Sequence, residues 1–394
     1  MKQREIVVLG MARTAIGTFG GALKDVPLSE LATTVVRAAL QRSGVDAAAV
    51  GHVVMGNVIP TEPRDAYLSR VAAMDAGIPK ETPAFNVNRL CGSGLQAVVS
   101  AAQSIMLGDA EVAIGGGAES MSRAPFLLPA VRWGTRMGDS SMLDYLSGIL
   151  HDPWQAIHMG VTAENVAARY GITREMQDAL ACESQRRAAQ AIAGGHFTAQ
   201  IVPVPVKTRK GIVQFDTDEH VRAETTPASL AAMKPVFKKD GLVTAGNASG
   251  INDGAAAIVM ADGEYAVAQG LKPLARLVGY AHAGVEPEYM GIGPVPATRL
   301  LLKRTGLRVE DLDVIESNEA FAAQACAVTR ELGLDPARVN PNGSGISLGH
   351  PVGATGTLIA IKAIHELHRT GGRFALVTMC IGGGQGIAAI FERM

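Results

Sequence analysis

Residues 88–117, NRLCGSGLQAVVSAAQSIMLGDAEVAIGGG, contain a glycine-rich turn, an apolar helical pattern and an apolar run that ends in three glycines. Apolar side chains from Leu95 to Ile105 recur at the i, i+3, i+4 spacing of one helix face, and Gly108 is a suitable C-terminal cap. The uninterrupted run at 112–114 predicts a strand that is covered on both faces. A turn, a helix and a buried strand in this order favour a layered α/β fold.

The same order of segments recurs near the C-terminus. VVMGN (53–57), CGSG (91–94) and EVAIGGG (111–117) are matched in order by VIESNEAF (314–321), SLGHPVGATG (347–356) and VTMCIGGG (377–384). Each set contains a strand with a polar turn, a glycine-rich turn into a helix, and a strand with a glycine cluster. The recurrence predicts a duplicated α/β unit.

Other short apolar runs define the limits of the two units. Strands are predicted at 6–9, 53–55, 112–114, 258–260, 314–315, 374–379 and 387–391. The alternation of strands and helices fades over 122–249, although 162–170 has a helical pattern. We therefore predict two similar halves, 1–121 plus 250–271 and 272–394, with a folded loop domain at 122–249 that shapes the binding site.

Composition excludes several classes of protein. The 394 residues are 47% hydrophobic and 19% charged, which excludes bulk disorder. A net charge of −1 gives no electrostatic reason to expect nucleic acid or an anionic membrane as a partner. Four cysteines without a CxxC are not a disulfide framework, and with no signal peptide or apolar run of spanning length they predict a cytoplasmic protein.

Cys91 is the first candidate for chemistry. A thiol immediately before a helix is near unpaired backbone N–H groups and the positive end of the helix dipole, which predicts a lowered pKa and a reactive thiolate. A buried structural cysteine at a tight turn remains the alternative. GSGLQA also matches the GxGxxG/A pattern of dinucleotide sites, but the polar segment PAFNVNRL before it does not resemble the buried strand that such sites require.

Three further positions follow strands or glycine turns. His350 lies in GISLGHPVGATG, and Asn318 follows an apolar strand in NEAF. Cys380 ends another strand and precedes Gly382, whose N–H belongs to a glycine triplet suited to an oxyanion site. Each of these residues has a purely structural interpretation when taken alone. No cluster of His, Cys or Asp has the spacing of a metal site.

Together these motifs identify the chain as similar to the thiolases, which are acetyl-CoA acetyltransferases and 3-ketoacyl-CoA thiolases. NRLCGSGLQAV resembles their nucleophile motif, and NEAFA, GHPVGATG and CIGGGQG resemble their three C-terminal motifs. HMGVTAEN and TAGNASGINDGAAA match intervening landmarks, so that the resemblance covers the whole chain. Within the family, the pattern is most similar to bacterial β-ketothiolases that supply polyhydroxyalkanoate synthesis. The resemblance implies a five-layered αβαβα fold and a homotetramer.

The resemblance also implies roles for the candidate residues. Cys91 is the acylated nucleophile, and His350 takes its proton and later stabilises the thioester oxygen. Cys380 is the acid/base at the α-carbon. Asn318 holds a water that shares one oxyanion hole with His350, while the N–H groups of Cys91 and Gly382 form the other. One departure is Ser317, where the family commonly has Ala.

Coenzyme A thioesters are the implied substrates, with no cofactor and no metal. The loop domain is expected to cover coenzyme A, and residues 207–210 are either neighbours of its nucleotide end or a solvated basic loop. Positions matching the family's coenzyme A contacts are His158, Met159, Arg222, Ser229, Phe237, Ala245, Ser249, Met290, Ala320 and Phe321.

Three rival interpretations predict different residues. A decarboxylating condensing enzyme has His in place of Asn318 and lacks Cys380. A thiolase paralogue has HDCF-like residues in place of NEAF. A non-catalytic relative has no need of Cys91, His350 or Cys380, yet all three are present. The sequence therefore favours an acyltransferase that condenses acetyl-CoA with acetyl-CoA or a short acyl-CoA.

Overall fold

The computed structural model describes residues 4–394. The strands are β1 Ile6–Arg13, β2 Gly17–Thr18, β3 Val50–Gly56, β4 Ala84–Val87, β5 Val112–Ser120, β6 Phe126–Leu127, β7 Leu143–Asp144, β8 Val204–Thr208, β9 Gly211–Phe215, β10 Asn252–Asp262, β11 Ala275–Gly284, β12 Val314–Ser317, β13 Phe374–Ile381 and β14 Gln385–Arg393. The α-helices are α1 Leu28–Ser43, α2 Leu68–Asp75, α3 Ser93–Leu107, α4 Tyr145–Ile149, α5 Met159–Tyr170, α6 Arg174–Ala193, α7 Pro227–Ala231, α8 Gly263–Ala268, α9 Pro294–Thr305, α10 Ala322–Leu332, α11 Gly345–Leu348 and α12 Thr355–Thr370. Short 3-10 turns lie at Ala47–Ala49, Pro63–Tyr67, Met121–Arg123, Val131–Trp133, Pro287–Ile292 and Val309–Asp311.

The sheet shows that the two ends of the chain have the same topology. Its strand order is β12-β13-β14-β11-β1-β10-β5-β3-β4, with β2 beside β10. In the N-terminal half, β3 and β5 are parallel, and β5, β10 and β1 follow antiparallel. In the C-terminal half, β12 and β13 are parallel, and β13, β14 and β11 follow antiparallel. The first strands of the two halves, β1 and β11, pair antiparallel and join them. The predicted duplication is thus visible in strand order and direction.

Three apolar layers separate the helices from the strands. One lies between helices α1 and α2 and the N-terminal strands. The central layer surrounds α3 and α12, which pack against each other between the halves. The third lies between the C-terminal strands and helices α5, α9 and α10. Strand residues alternate between layers: Val7 faces the first, and Ile6 and Val8 face the second.

The α3 region is apolar because both halves bury it. Within residues 4–394, Leu90–Leu107 is the one helical stretch with the length and hydropathy of a membrane span, and 67% of it is buried inside the protein. Its position in the central layer accounts for that hydropathy without a membrane.

We refer to residues 122–249, for which the sequence predicts a folded loop domain, as the excursion. They contain α4 to α7 and two short hairpins, β6–β7 and β8–β9. A buried ion pair at 2.8 Å joins Arg13 at the end of β1 to Asp218 of the excursion, and Asp218 also accepts the N–H of Ile16. Because an unpaired buried charge is costly, this contact holds the excursion on the N-terminal half.

The predicted strands are all present, but some strands were missed. The polar segment before Cys91 contains β4, which is an edge strand with half-exposed side chains and therefore lacks an apolar run. Strand β11 was missed for a similar reason, since only Ala275, Leu277 and Ala281 of its ten residues are buried. Burial on both faces produces the apolar pattern, and edge or half-covered strands do not show it.

Candidate active site

Cys91 lies in the turn between β4 and α3. Leu90 before it has a left-handed φ of +44°, an uncommon conformation for a residue with a branched side chain. Two hydrogen bonds hold the turn: the Ser93 hydroxyl donates to the Leu90 carbonyl at 2.6 Å and accepts the Arg89 N–H at 2.9 Å. The strained turn presents the thiol at the start of α3, where the sequence predicts it.

Glycines next to Cys91 allow the two halves to approach closely. A Cβ on Gly92 would lie 2.5 Å from the Ile381 side chain, and one on Gly94 would lie 2.9 Å from the backbone N of Thr357. These contacts bring the nucleophile turn against the end of β13 and the start of α12. The glycines of the CGSG motif therefore serve packing between the halves.

His350 and Asn318 face each other with their side-chain nitrogens 3.4 Å apart. The Nδ1 of His350 is 2.7 Å from the Thr355 hydroxyl, which itself donates to the Pro351 carbonyl at 2.9 Å. We assign the single hydroxyl proton to the Pro351 carbonyl, so that Nδ1 is the donor to the hydroxyl oxygen and Nε2 is unprotonated and faces Asn318. Asn252 accepts the His350 backbone N–H at 2.9 Å and fixes the loop.

The imidazole of His350 is neutral near pH 7. It is 5% exposed, and burial lowers its pKa to about 4. A neutral ring with a free Nε2 can accept a proton, and it becomes a donor after accepting one. This is the behaviour required of a base that later stabilises an oxyanion.

Cys380 lies one residue before the end of β13 and is fully buried. Burial raises the pKa of its thiol strongly, and a negative charge on neighbouring Cys91 raises it further. The following glycine turn leads directly into β14. Gly384 has a φ of +82°, and a Cβ there would lie 2.2 Å from the carbonyl oxygen of Val285, so only glycine fits. The turn directs the Gly382 N–H toward the sulfur of Cys91.

The prediction of a lowered pKa for Cys91 is wrong for the resting protein. Burial raises its pKa to about 11, and hydrogen bonding from the N–H groups of Gly382 and of Cys91 itself offsets only part of this effect. Removing sulfur from water disfavours the thiolate more than the helix start favours it. The thiol therefore needs a base to become a nucleophile, and the neutral imidazole of His350 is in a suitable state.

A buried carboxyl group that the sequence did not indicate supports the His350 loop. Glu119 accepts the backbone N–H groups of Val58 at 3.1 Å, Ile59 at 3.0 Å and Gly353 at 2.8 Å, and the Asn57 amide at 2.9 Å. Burial raises its pKa to about 8, although the three backbone donors favour the charged form. Its position after the IGGG cluster was the only sequence signal.

An aromatic group lies beside the glycine turn. The rings of His158 and Phe237 are stacked at 4.6 Å, and Phe321 meets Phe237 edge-on at 6.2 Å. His158 caps α5 by accepting the Gly160 N–H at 3.0 Å. The next residue, Met159, places its sulfur 3.5 Å from where a Cβ on Gly382 would be.

Several predicted coenzyme A residues share one apolar cluster with Cys380. Met159, Met290, Ala320 and Phe321 are buried members of it, and Phe237 packs against it. Ser249 joins them, since its backbone N–H donates to the Ala320 carbonyl at 2.9 Å. The structure thus brings seven of the ten predicted positions, counting His158, to one side of the reactive groups.

The other three predicted positions are exposed on the excursion. Ser229 forms a capping box with Thr226 at the start of α7, and Ala245 lies in a turn. The side chain of Arg222 is exposed, while its backbone N–H donates to Gln185. Residues 207–210 lie at the exposed turn of the β8–β9 hairpin. No hydrogen bond or ion pair among the described residues joins these side chains to Cys91, Cys380, His350 or Asn318.

Within residues 4–394, no group of three or more His, Cys, Asp or Glu side chains is arranged to hold a metal ion. All four cysteines are free thiols. Cys182 and Cys326 lie in α6 and α10, as their helical sequence context indicates. The candidate reactive groups of the site are thus the thiols of Cys91 and Cys380, the imidazole of His350 and the side-chain amide of Asn318.

The two halves and the paired cysteines place the chain in a family of acyl-transferring enzymes. Residues 6–264 match the thiolase N-terminal domain, and residues 271–393 match the thiolase C-terminal domain. The chain therefore belongs to the thiolase family, as its motifs indicate.

Known thiolases are similar to this chain over its full length. The chain is 67% identical over 392 residues to the beta-ketothiolase BktB of Cupriavidus necator, covering 99% of this chain and 100% of that protein. It is 48% identical to the acetyl-CoA acetyltransferase of Escherichia coli, with 99% and 100% covered. Human mitochondrial 3-ketoacyl-CoA thiolase in complex with CoA has a TM-score of 0.96 at 45% identity, with 100% of this chain and 98% of that one covered. The α/β class and the thiolase fold are confirmed.

Proposed function

We propose that this protein is a β-ketothiolase that condenses acetyl-CoA with acetyl-CoA or a short acyl-CoA to 3-ketoacyl-CoA and CoA, reversibly. The observation that carries the proposal is the convergence of two thiols from different halves. Cys91 lies in the turn just before α3, Cys380 lies one residue before the end of β13, and the Gly382 N–H is directed at the Cys91 sulfur. The relative named beta-ketothiolase BktB supports the same reaction.

The first step transfers an acyl group to Cys91. Nε2 of His350 takes the thiol proton, the sulfur attacks the thioester carbonyl, and CoA leaves as a thiol after His350 gives that proton to its sulfur. A thioester exchanges readily with a thiolate, which explains a sulfur nucleophile. The N–H groups of Cys91 and Gly382 stabilise the oxyanion on the acyl group. Because free CoA leaves before the second substrate reacts, the kinetics should be ping-pong.

The second step forms the carbon–carbon bond. The Cys380 thiol first passes its proton to His350, because burial keeps the thiol protonated at neutral pH, and the Cys380 thiolate then removes the α-proton of the second acetyl-CoA. The resulting carbanion attacks the acyl carbon, the bond from that carbon to the Cys91 sulfur breaks, and His350 returns the proton to the sulfur. The negative charge on the second thioester oxygen is stabilised by His350 and by a water that Asn318 holds. Thiolysis runs the same steps in reverse, and it is the downhill direction for the isolated enzyme.

The excursion is proposed to cover coenzyme A. Residues 122–249 would form this loop domain, with 1–121 plus 250–271 and 272–394 as the two halves. The cluster of His158, Met159 and Phe237 beside Gly382 supports a pantetheine path that ends at the thiols. Arg222 is proposed to lie near the nucleotide end. The reaction as proposed needs no cofactor or metal, since every proton transfer has a side chain to perform it.

We also propose a cytoplasmic homotetramer. Support comes from an exposed apolar segment at 126–143, in which Trp133 is 89% and Met137 is 97% exposed. Apolar side chains clustered on the surface mark interaction sites. The open edge of β4 offers a second contact, because Phe85 there is 44% exposed. Light scattering should give the tetramer mass, and a monomer at micromolar concentration would contradict it.

The reaction is tested by two measurements on the same protein. Acetoacetyl-CoA should be cleaved when CoA is added, seen as loss of its enolate absorbance. Mass spectrometry after incubation with acetyl-CoA should find one acetyl group on Cys91, and Cys91→Ala should abolish both signals. An adduct confined to Cys182 or Cys326 would refute the assignment. Comparison of kcat/KM for C4, C5 and C6 3-ketoacyl-CoA then defines the acyl chain range.

A further inference from the structure

A cavity lies beside the C-terminal end of β12, the strand that ends at Ser317 immediately before Asn318. It encloses about 550 Å³ between α6, α10 and the turn at 333–340. This volume is within the range of about 300–1,000 Å³ that small-molecule sites occupy. Its walls are mainly apolar and include Met176, Leu180, Ala325, Leu334, Pro336 and Val339.

One polar group in this cavity has no partner. Ser317 lines the cavity and is 2% exposed, and its hydroxyl makes no hydrogen bond within the described residues. The Ser317 backbone is occupied, because Asn340 accepts its N–H at 2.9 Å and donates to its carbonyl at 2.8 Å. A buried hydroxyl without a partner is unfavourable, so the group is suited to a hydrogen bond from outside the chain.

The remaining polar groups disfavour a charged occupant. The Glu319 carboxyl also lines the cavity, where Ser184 donates to it at 2.6 Å and Asn340 at 2.9 Å. Within residues 4–394 no cation forms an ion pair with that carboxyl, so an anion placed beside Ser317 would be repelled or left unpaired. Two guanidinium groups also line the cavity: Arg187 is bound to Glu183 and to the Val339 carbonyl, both at 2.6 Å, and Arg330 donates to the Tyr170 carbonyl.

We propose that this cavity binds a small aliphatic molecule with one uncharged hydrogen-bonding group, such as an alcohol or a ketone, and that occupancy alters the reaction through Asn318. The aliphatic part packs against the apolar walls, and the uncharged group pairs with the Ser317 hydroxyl. The binding site is independent of the thiolase reaction, while the kinetic effect rests on the proposed role of Asn318.

The cavity contacts both chain neighbours of Asn318. Successive residues of an extended segment point to opposite sides, so Ser317 and Glu319 face the cavity while Asn318 faces His350. The Asn340 amide binds the carbonyl of Ser317 and the carboxylate of Glu319, and it therefore holds both neighbours of Asn318. A molecule that pairs with Ser317 acts on this clamp and shifts the amide of Asn318.

Calorimetric titration of the full-length protein with 1-hexanol tests the binding site, with hexanoate as a charged probe of equal chain length. Saturable binding of 1-hexanol is expected, and hexanoate should bind at least about tenfold more weakly, since a desolvated unpaired charge costs more than one neutral hydrogen bond. Absence of saturable heat up to the solubility of 1-hexanol, or equal binding of hexanoate, would overturn the proposal.

Two variants locate the site. Ser317→Ala removes the hydroxyl and should weaken 1-hexanol binding by about 3–10-fold, the effect of one hydrogen bond. Ala325→Leu fills the cavity and should abolish binding, whereas Ala189→Leu, the same change on α6 outside the cavity, should not. Unchanged affinity in Ser317→Ala would overturn the proposal even if Ala325→Leu fails to fold.

The kinetic part has its own measurement. Saturating 1-hexanol should change kcat for acetoacetyl-CoA thiolysis in the wild type and should leave kcat unchanged in Ala325→Leu. If Ala325→Leu does not fold, Ser317→Ala is the comparison, and a higher concentration of 1-hexanol should be needed to change its kcat. Binding with no change in kcat would overturn the coupling to Asn318. Loss of thiolysis altogether would instead refute the proposed function, because calorimetric binding does not depend on that reaction.

Discussion

Replacing Thr355 by valine should slow acylation of Cys91 by about 10–100-fold. The Thr355 hydroxyl lies 2.7 Å from Nδ1 of His350 and sets which ring nitrogen carries the proton. Valine keeps the shape of threonine but leaves the buried Nδ1–H without a partner, at a cost of about 1–3 kcal/mol. The ring can avoid this cost by moving its proton to Nε2, which then cannot accept the proton of Cys91. Each 1.4 kcal/mol corresponds to about a tenfold change in rate.

The assay is the rate at which acetyl-Cys91 forms from acetyl-CoA, followed by quenched mass spectrometry. Thr355→Ser retains the hydroxyl and should stay within about threefold of the wild type, since no hydrogen bond is lost. Thr357→Val is a matched control on the same helix, because its buried hydroxyl donates to the Gly94 carbonyl at 3.0 Å and does not contact His350. It should lower the melting temperature with a smaller effect on acylation.

The result that would refute this reasoning is a Thr355→Val variant that acylates Cys91 at nearly the wild-type rate. Equal slowing in Thr355→Ser and Thr355→Val would also refute it, since it would show that the position matters for packing and not for the hydroxyl. A melting temperature measured for each variant separates loss of fold from loss of the correct tautomer of His350.

Three other predictions follow from the buried groups. Cys380→Ser should still form acetyl-Cys91, while thiolysis and condensation fall by about 10²–10⁴-fold, because a hydroxyl is too weak an acid/base near neutral pH; equal loss of both reactions would show that Cys380 is not a dedicated acid/base. The free energy of unfolding should fall as pH drops from about 6.5 to about 4, because His350 stays neutral in the native protein while the unfolded chain binds a proton there, and urea titrations of His350→Asn should show a shallower pH slope. Glu119→Gln should lower the stability of the protein and should lower the rate of thiolysis by roughly tenfold. The reason is that the NH₂ group of the new glutamine would face the N–H groups that now donate to the carboxyl, and it would displace Gly353. Lowered stability with an unchanged rate of thiolysis would assign Glu119 a purely structural role.

The candidate reactive side chains are visible in the sequence because each lies in a short local pattern. Cys91 precedes a helix, Cys380 ends an apolar strand, and His350 sits in a glycine turn. Their supporting residues could not be found in this way. Glu119 binds Gly353 at 234 positions along the chain, and no local pattern indicates such a partner.

The order of apolar runs and glycine turns was enough to predict the fold class and the duplication, and it indicated the candidate reactive residues. The periodicity of apolar residues is a local property of the sequence, and it can be recognised without knowing which elements pack against them. The tertiary structure decided the state of those atoms. Ile381 packs against Gly92, and Gly382 directs its N–H at the Cys91 sulfur, although both lie nearly 300 residues away along the chain. The burial of Cys91 between the two halves reverses the direction expected for its pKa. Desolvation depends on every neighbour in space, and so the protonation state of a site becomes defined only when both halves are packed together.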